Sequence, residues 1–192
     1  MRGRIWVLVP GFIVSGLVVT SPFRSVLLAQ GETFSATATV KTAGGTQATA
    51  PVTVVVTRPT TDAERAKVVD ALKKGGMAAV VQALKAMPDA GYIELGGTKT
   101  AVKYAYIRPT SGGRLVTVVA PAPIAHLGAG LPDAQPKAGF DLALAALEVK
   151  DSGAGSGELA PAAKVKLNDA GALQTEDYGA TAVMLTNVRV KK

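Results

Sequence analysis

From Phe34 onward, apolar and polar residues alternate with a period of two, the rhythm of a β-strand with one buried face. Phe34, Ala36, Ala38 and Val40 stand against Ser35, Thr37, Thr39 and Lys41. After Thr42-Ala43-Gly44-Gly45-Thr46 the pattern resumes, with Val52, Val54 and Val56 against Thr53, Val55 and Thr57. Two such runs joined through Gly-Gly predict a β-hairpin, and their Thr and Val content suits a pleated surface.

The rhythm breaks once. Thr61-Asp62-Ala63-Glu64 has the form of a capping box, with an N-cap hydroxyl and a Glu at the third helical position. Val68, Val69 and Leu72 then share a helical face up to Gly75-Gly76, and Met77, Val80, Val81, Leu84 and Met87 keep helical spacing up to Pro88. These runs predict an inserted helical pair, near 62–74 and 77–87, with a face packed on a sheet or on each other.

Strand patterning returns at Tyr92–Leu95, Val102–Ile107 and Leu115–Val119, the last two joined through Ser111-Gly112-Gly113. Pro121, Pro123, Pro132 and Pro136 mark an irregular stretch that carries His126. Phe140–Val149 contains good helix formers but also alternates, and Gly139 before it and Asp151–Gly157 after it argue for a strand. Leu159–Leu167, a turn at Asn168–Gly171, Leu173–Thr175 and Val183–Val190 complete the set. The expectation is an α+β fold: a mostly antiparallel β-sheet of about eight or nine strands, sandwich-like or an open barrel, because connections this short do not return a strand in parallel.

The first 29 residues have a different character. Met1-Arg2-Gly3-Arg4 is a cationic start, Ile5–Val19 is nearly all apolar, and Ala29 offers a small residue at a cleavage position. Pro10, Gly11 and Thr20-Ser21-Pro22 interrupt the run, which favours a cleaved signal peptide over a membrane span. Two segments are therefore expected, a signal peptide over 1–29 and a single strand-rich domain over 30–192, secreted or periplasmic and touching the membrane only before cleavage. Loss of Arg2, Arg4 and Arg24 lowers the formal charge from +7 to +4, a value that keeps a small domain soluble. The basic residues are dispersed and no RNA-binding signature accompanies them, so no specific nucleic acid is expected as a partner.

The chain has no cysteine, which excludes disulfides, thiol chemistry and cysteine-based zinc sites. His126 is the sole histidine, and its neighbours Ile124, Ala125, Leu127 and Gly128 supply no orienting acid. No Gly-x-Ser-x-Gly elbow is present for a serine hydrolase. Asp151 and Glu158 flank a Gly/Ser segment, but Gly153 and Gly155 stand where a calcium loop needs further oxygen ligands. Asp133, Asp141 and Glu148 are acids from which a glycosidase pair would have to come, and spacing selects no pair. Tyr104 and Tyr106 share a strand face near Lys99, Lys103, Arg108 and Arg114, an arrangement that suits stacking on sugar rings or bases. Tyr104, Tyr106 and His126 are thus the ligand-binding candidates, with no catalytic residue, metal ligand or cofactor assigned.

Arg58-Pro59-Thr60-Thr61-Asp62-Ala63-Glu64-Arg65, Gly91-Tyr92-Ile93, Tyr104-Ala105-Tyr106, Pro123-Ile124 and Asp177-Tyr178-Gly179 resemble a family of small exported bacterial proteins of unknown function. The resemblance implies a secreted or periplasmic protein and transfers no site residue. The functional expectation is a non-enzymatic exported domain of the bacterial envelope that binds an anionic envelope polymer, an apolar ligand or another protein. The alternative is a periplasmic hydrolase that works through carboxylates or a bound cation.

Overall fold

The computed structural model describes residues 31–41, 45, 47–124, 137–169 and 171–191. The expected signal segment, His126 and Asp133 lie outside the described residues. Strands β1 (Glu32–Lys41) and β2 (Gln47–Val56) form the first hairpin, followed by helix α1 (Asp62–Lys85). Next come β3 (Gly91–Leu95), β4 (Thr98–Val102), β5 (Tyr104–Thr110), β6 (Gly113–Ala120) and β7 (Leu142–Lys150). The chain continues through β8 (Ala154–Leu167), β9 (Leu173–Tyr178) and β10 (Val183–Lys191). All pairings are antiparallel, in the order β4-β3-β2-β1-β10-β8-β7-β6-β5, with β9 added to β8.

The two ends of that order, β4 and β5, are consecutive in the chain and separated by Lys103 alone. The sheet therefore curls into a nearly closed barrel. Lys103 N–H donates to the Val119 carbonyl of β6 at 3.0 Å, while its ammonium pairs with Asp89 at 2.6 Å. Buried Thr60 covers the outer edge of β5: its N–H donates to the Ala105 carbonyl and its hydroxyl accepts from the Ala105 N–H, each at 2.8 Å. Exposed strand edges invite wrong pairing, and closure of this kind removes much of the exposed edge. On the far side, β10 bridges β1 and β8 through an irregularity at Asn187, which adopts a left-handed φ of 53° where the register shifts on both flanks.

Tyr104–Thr110 and Thr98–Val102 are two strands where the sequence suggests one run, Val102–Ile107. The Gly96-Gly97 turn, with φ values of 58° and 82°, reverses the chain between β3 and β4. With β4 added, ten strands are present among the described residues. The helical region keeps the break that the sequence places at Gly75-Gly76. α1 is one element broken at Gly76, whose φ of 61° and ψ of −153° leave the helical range. The capping box forms as the sequence requires: the Thr61 hydroxyl accepts from Glu64 N–H, and the Glu64 carboxylate accepts from Thr61 N–H. Arg58 holds that carboxylate with two hydrogen bonds of 2.9 and 3.1 Å and reaches the Pro88 and Asp89 carbonyls beyond the far end of α1. One guanidinium thus ties the start of the helix to the chain leaving it.

Two apolar layers hold the fold. Inside the barrel, Phe34, Val54, Ile93, Val118, Leu147 and Leu159 pack among the β-branched and alanine residues of neighbouring strands. Each fully buried large side chain contributes about 1.5–3 kcal/mol. Outside, Val68, Val80, Val81 and Leu84 of α1 lie on Tyr104, Val119, Leu142 and Leu144. β6 and β7 are therefore covered on both faces, and strands of that kind read as unbroken apolar runs. Among the described residues no helix is long and apolar enough to cross a membrane.

Candidate functional site

The pairing registers define a row across the outer face of the barrel: Met184 of β10 lies beside Glu158 of β8, then Ala146 of β7, Thr117 of β6 and Tyr106 of β5. α1 covers the end of this face near Tyr104. Toward Glu158 it stays open and becomes the floor of a groove of about 360 Å³. Leu115, Thr117, Leu144 and Ala146 make the floor, and Gln174, Thr175 and Tyr178 of β9 make a wall.

Local sequence explains the wall. β8 runs on past its pairing with β10, and the turn at Asn168–Gly171 sends the chain back as β9. That turn closes through Asn168, whose Oδ1 accepts from Ala172 N–H at 3.0 Å, and through the left-handed Gly171. Between Thr175 and Asp177, β9 carries one residue more than β8 does between Val165 and Lys164. A bulge of this kind bends a strand and re-aims the side chains that follow.

Tyr178 is the residue so aimed. Its hydroxyl donates to Glu158 Oε1, and Thr175 bonds the same phenol oxygen. Partial burial, then the hydrogen bond and negative charge of Glu158, push the Tyr178 phenol up to about 12. A carboxylate offers about four acceptor positions and Tyr178 occupies one, so Glu158 keeps capacity to receive donors from a ligand. With Gln174, Thr117 and Thr175, the groove sets hydrogen-bonding groups around a largely apolar floor.

Tyr104 and Tyr106, the binding candidates that fall within the described residues, lie elsewhere. Tyr104 is 2% exposed, packed beneath α1, with its hydroxyl bonded to Arg65 and to the Leu173 backbone; burial pushes its phenol up. Tyr106 is half-buried, and its ring carries the Arg65 guanidinium 4.0 Å above the centroid, with Arg65 also paired to Asp62 at 2.9 Å. The two tyrosines do share a face, but the protein's own helix occupies it, so they offer no open platform. Asp141 and Glu148 stand seven residues apart along one chain segment, about 24 Å at the ~3.4 Å rise of a strand, and cannot flank one bond. Asp151 lies in the β7–β8 turn, whereas Glu158 sits well inside β8. Among the described residues no group of three or more acidic or histidine side chains is placed to hold a metal.

Glu158 was visible in the sequence only as the flank of a Gly/Ser segment. Thr117, Gln174 and Thr175 carry no sequence signal beyond strand alternation. No protein-family model, curated protein or solved structure matches this chain.

Proposed function

We propose that this chain is a non-enzymatic binding domain, exported to the bacterial envelope, whose ligand seats in the groove between the barrel's outer face and β9. The observation that carries the reading is the Glu158–Tyr178 pair placed beside an apolar floor in an open concavity. Its volume lies in the ~300–1,000 Å³ range of small-molecule sites, which join apolar lining to a few placed polar groups. Export is supported by the cationic, apolar and small-residue order of positions 1–29. The resemblance to small exported bacterial proteins points the same way.

The reading is tested by a thermal-shift screen of small molecules against the wild type and Leu115→Trp, in which the larger ring of this half-buried residue fills the floor. Ligands that stabilise the wild type should lose their effect on the variant. Equal stabilisation of both would remove the groove from the function. Amino-terminal sequencing of the protein from its native envelope fraction should begin near Gln30.

A carboxylate hydrolase is the second reading, favoured by one observation. Glu158 faces Ala146 and Glu148 faces Ser156 on the paired strands β7 and β8, which makes the two acids diagonal neighbours roughly 7 Å apart. Hydrolysis of a chromogenic glycoside that vanishes in both Glu148→Gln and Glu158→Gln would support it; turnover equal to buffer would remove it.

A further inference from the structure

We infer that the groove's ligand is a neutral saccharide, a disaccharide or a short stretch of a longer glycan lying across β6, β7 and β8. The inference rests on the binding reading above and specifies the chemistry of the same site.

The lining decides between ligand classes. Gln174 presents an amide and Thr175 a hydroxyl that keeps acceptor capacity beside Tyr178, and Glu158 is the sole formal charge among the described residues that line the groove. A neutral polyol answers such a set, because each hydroxyl both donates and accepts, and Glu158 can take a donor from it. A purely apolar ligand would strip water from these groups and return no hydrogen bond, which opposes binding. A cationic ligand would use Glu158 and leave the amide and the hydroxyl poorly matched.

The apolar part fits as well. Leu115 and Ala146, backed by the buried Leu144, form an apolar patch suited to the C–H face of a sugar ring. Tyr178, 39% exposed, stands at the edge with its ring available for a second contact of the same kind. The groove is open to solvent and not an enclosed cavity, so a short stretch of a polymer can reach it. Tyr178 also holds the Glu158 carboxylate in place before any ligand arrives, which reduces the ordering cost of binding.

Amide NMR titration of the full chain tests the inference. The probes are a panel of neutral disaccharides, with α- and β-linked glucose, galactose and N-acetylglucosamine, and 1,5-diaminopentane as the cationic comparison. At least one disaccharide should shift the signals of Thr117, Ala146, Glu158 and Thr175. Its affinity should hold within about twofold between ~50 and ~500 mM salt, because no ion pair is screened. Glu158→Gln and Gln174→Ala should each weaken it about fivefold, the loss of one hydrogen bond, with an unchanged circular dichroism spectrum. Gln174 is a partly exposed residue on the sheet's added strand, so its truncation leaves the fold intact even if Glu158→Gln does not. Shifts of these signals by the diamine alone, with strong salt dependence, would overturn the saccharide assignment and keep the groove as a binding site. Disaccharides that bind while leaving these signals unmoved, or no response to any probe, would overturn the saccharide assignment, and the second result would also remove support for the groove.

Discussion

The Tyr178 hydroxyl donates to the Glu158 carboxylate across twenty residues of chain, joining the end of β9 to the middle of β8. The pair closes one side of the groove and fixes where β9 stands over the sheet.

That relationship has a pH signature. Partial burial and the adjacent carboxylate favour the neutral phenol in the folded state, so Tyr178 titrates near 12 when folded and near its usual 10 when unfolded. The resulting stabilisation is fully present below about pH 10 and is lost as pH rises toward 12. Urea melts between pH 8 and pH 12 should show a steeper alkaline decline in the wild type than in Tyr178→Phe. Tyr104, also shifted upward by burial, remains in both proteins, so the difference reports Tyr178 alone. Identical alkaline limbs would mean that the Tyr178–Glu158 contact is not formed in solution.

Glu64 gives the opposite sign. Hydrogen bonds from Arg58, then from the Thr61 backbone, hold its carboxyl down from the usual 4.5 to about 2. The stabilisation is present above about pH 4.5 and is lost as pH falls toward 2. Glu64→Gln should therefore melt lower than wild type at pH 6 and converge with it near pH 2, as followed by thermal circular dichroism. Thr61→Ala removes the other half of the cap and should cost about 1 kcal/mol at neutral pH.

At Gly76 the sign of a substitution separates a broken helix from a continuous one. In a regular helix, Gly→Ala stabilises by about 1 kcal/mol. With φ at 61° and ψ at −153°, Gly76 occupies a region that is essentially restricted to glycine, and Ala there costs about 1–3 kcal/mol. Space is not the issue, since nothing lies within 4 Å of an added Cβ. Chemical denaturation of Gly76→Ala should show a lower midpoint; a higher one would mean that α1 runs straight.

The capping box at Thr61 and Glu64 and the hairpins around β1–β2 and β5–β6 were legible because each is encoded within a few residues. The arrangement of strands was not. Closure depends on Lys103 and Thr60 meeting Val119 and Ala105, contacts that no local pattern announces. Phe140–Val149 looked ambiguous for a physical reason: Leu142 and Leu144 face α1 while Ala143 and Ala145 face the barrel interior, so both faces demand small or apolar residues. Tyr104 and Tyr106 were correctly placed on one face of a strand, yet that face is where α1 docks. Glu158 and Tyr178 meet through a turn and a bulge whose combined geometry emerges only in three dimensions.

Gly155 carries the sharpest contrast between sequence and structure. In the run Asp151–Gly157 it reads as one of several glycines in a flexible connection, and replacing such a glycine by Ala would stabilise by about 0.4–1 kcal/mol through the unfolded chain. In the fold it lies within β8, paired to Val149 and Val188, and a Cβ there would collide with the Glu148 carbonyl oxygen. Backbone on a neighbouring strand cannot swing aside as a side chain can, so Gly155→Ala should destabilise by about 1–3 kcal/mol or more. The neighbouring exposed Ser156 serves as the control, with Ser156→Ala expected to stay within about 0.5 kcal/mol of wild type. Urea denaturation of the two variants reads the difference directly. A Gly155→Ala protein as stable as wild type would loosen the β7–β8 pairing on which the groove floor, and the position of Glu158 within it, depend.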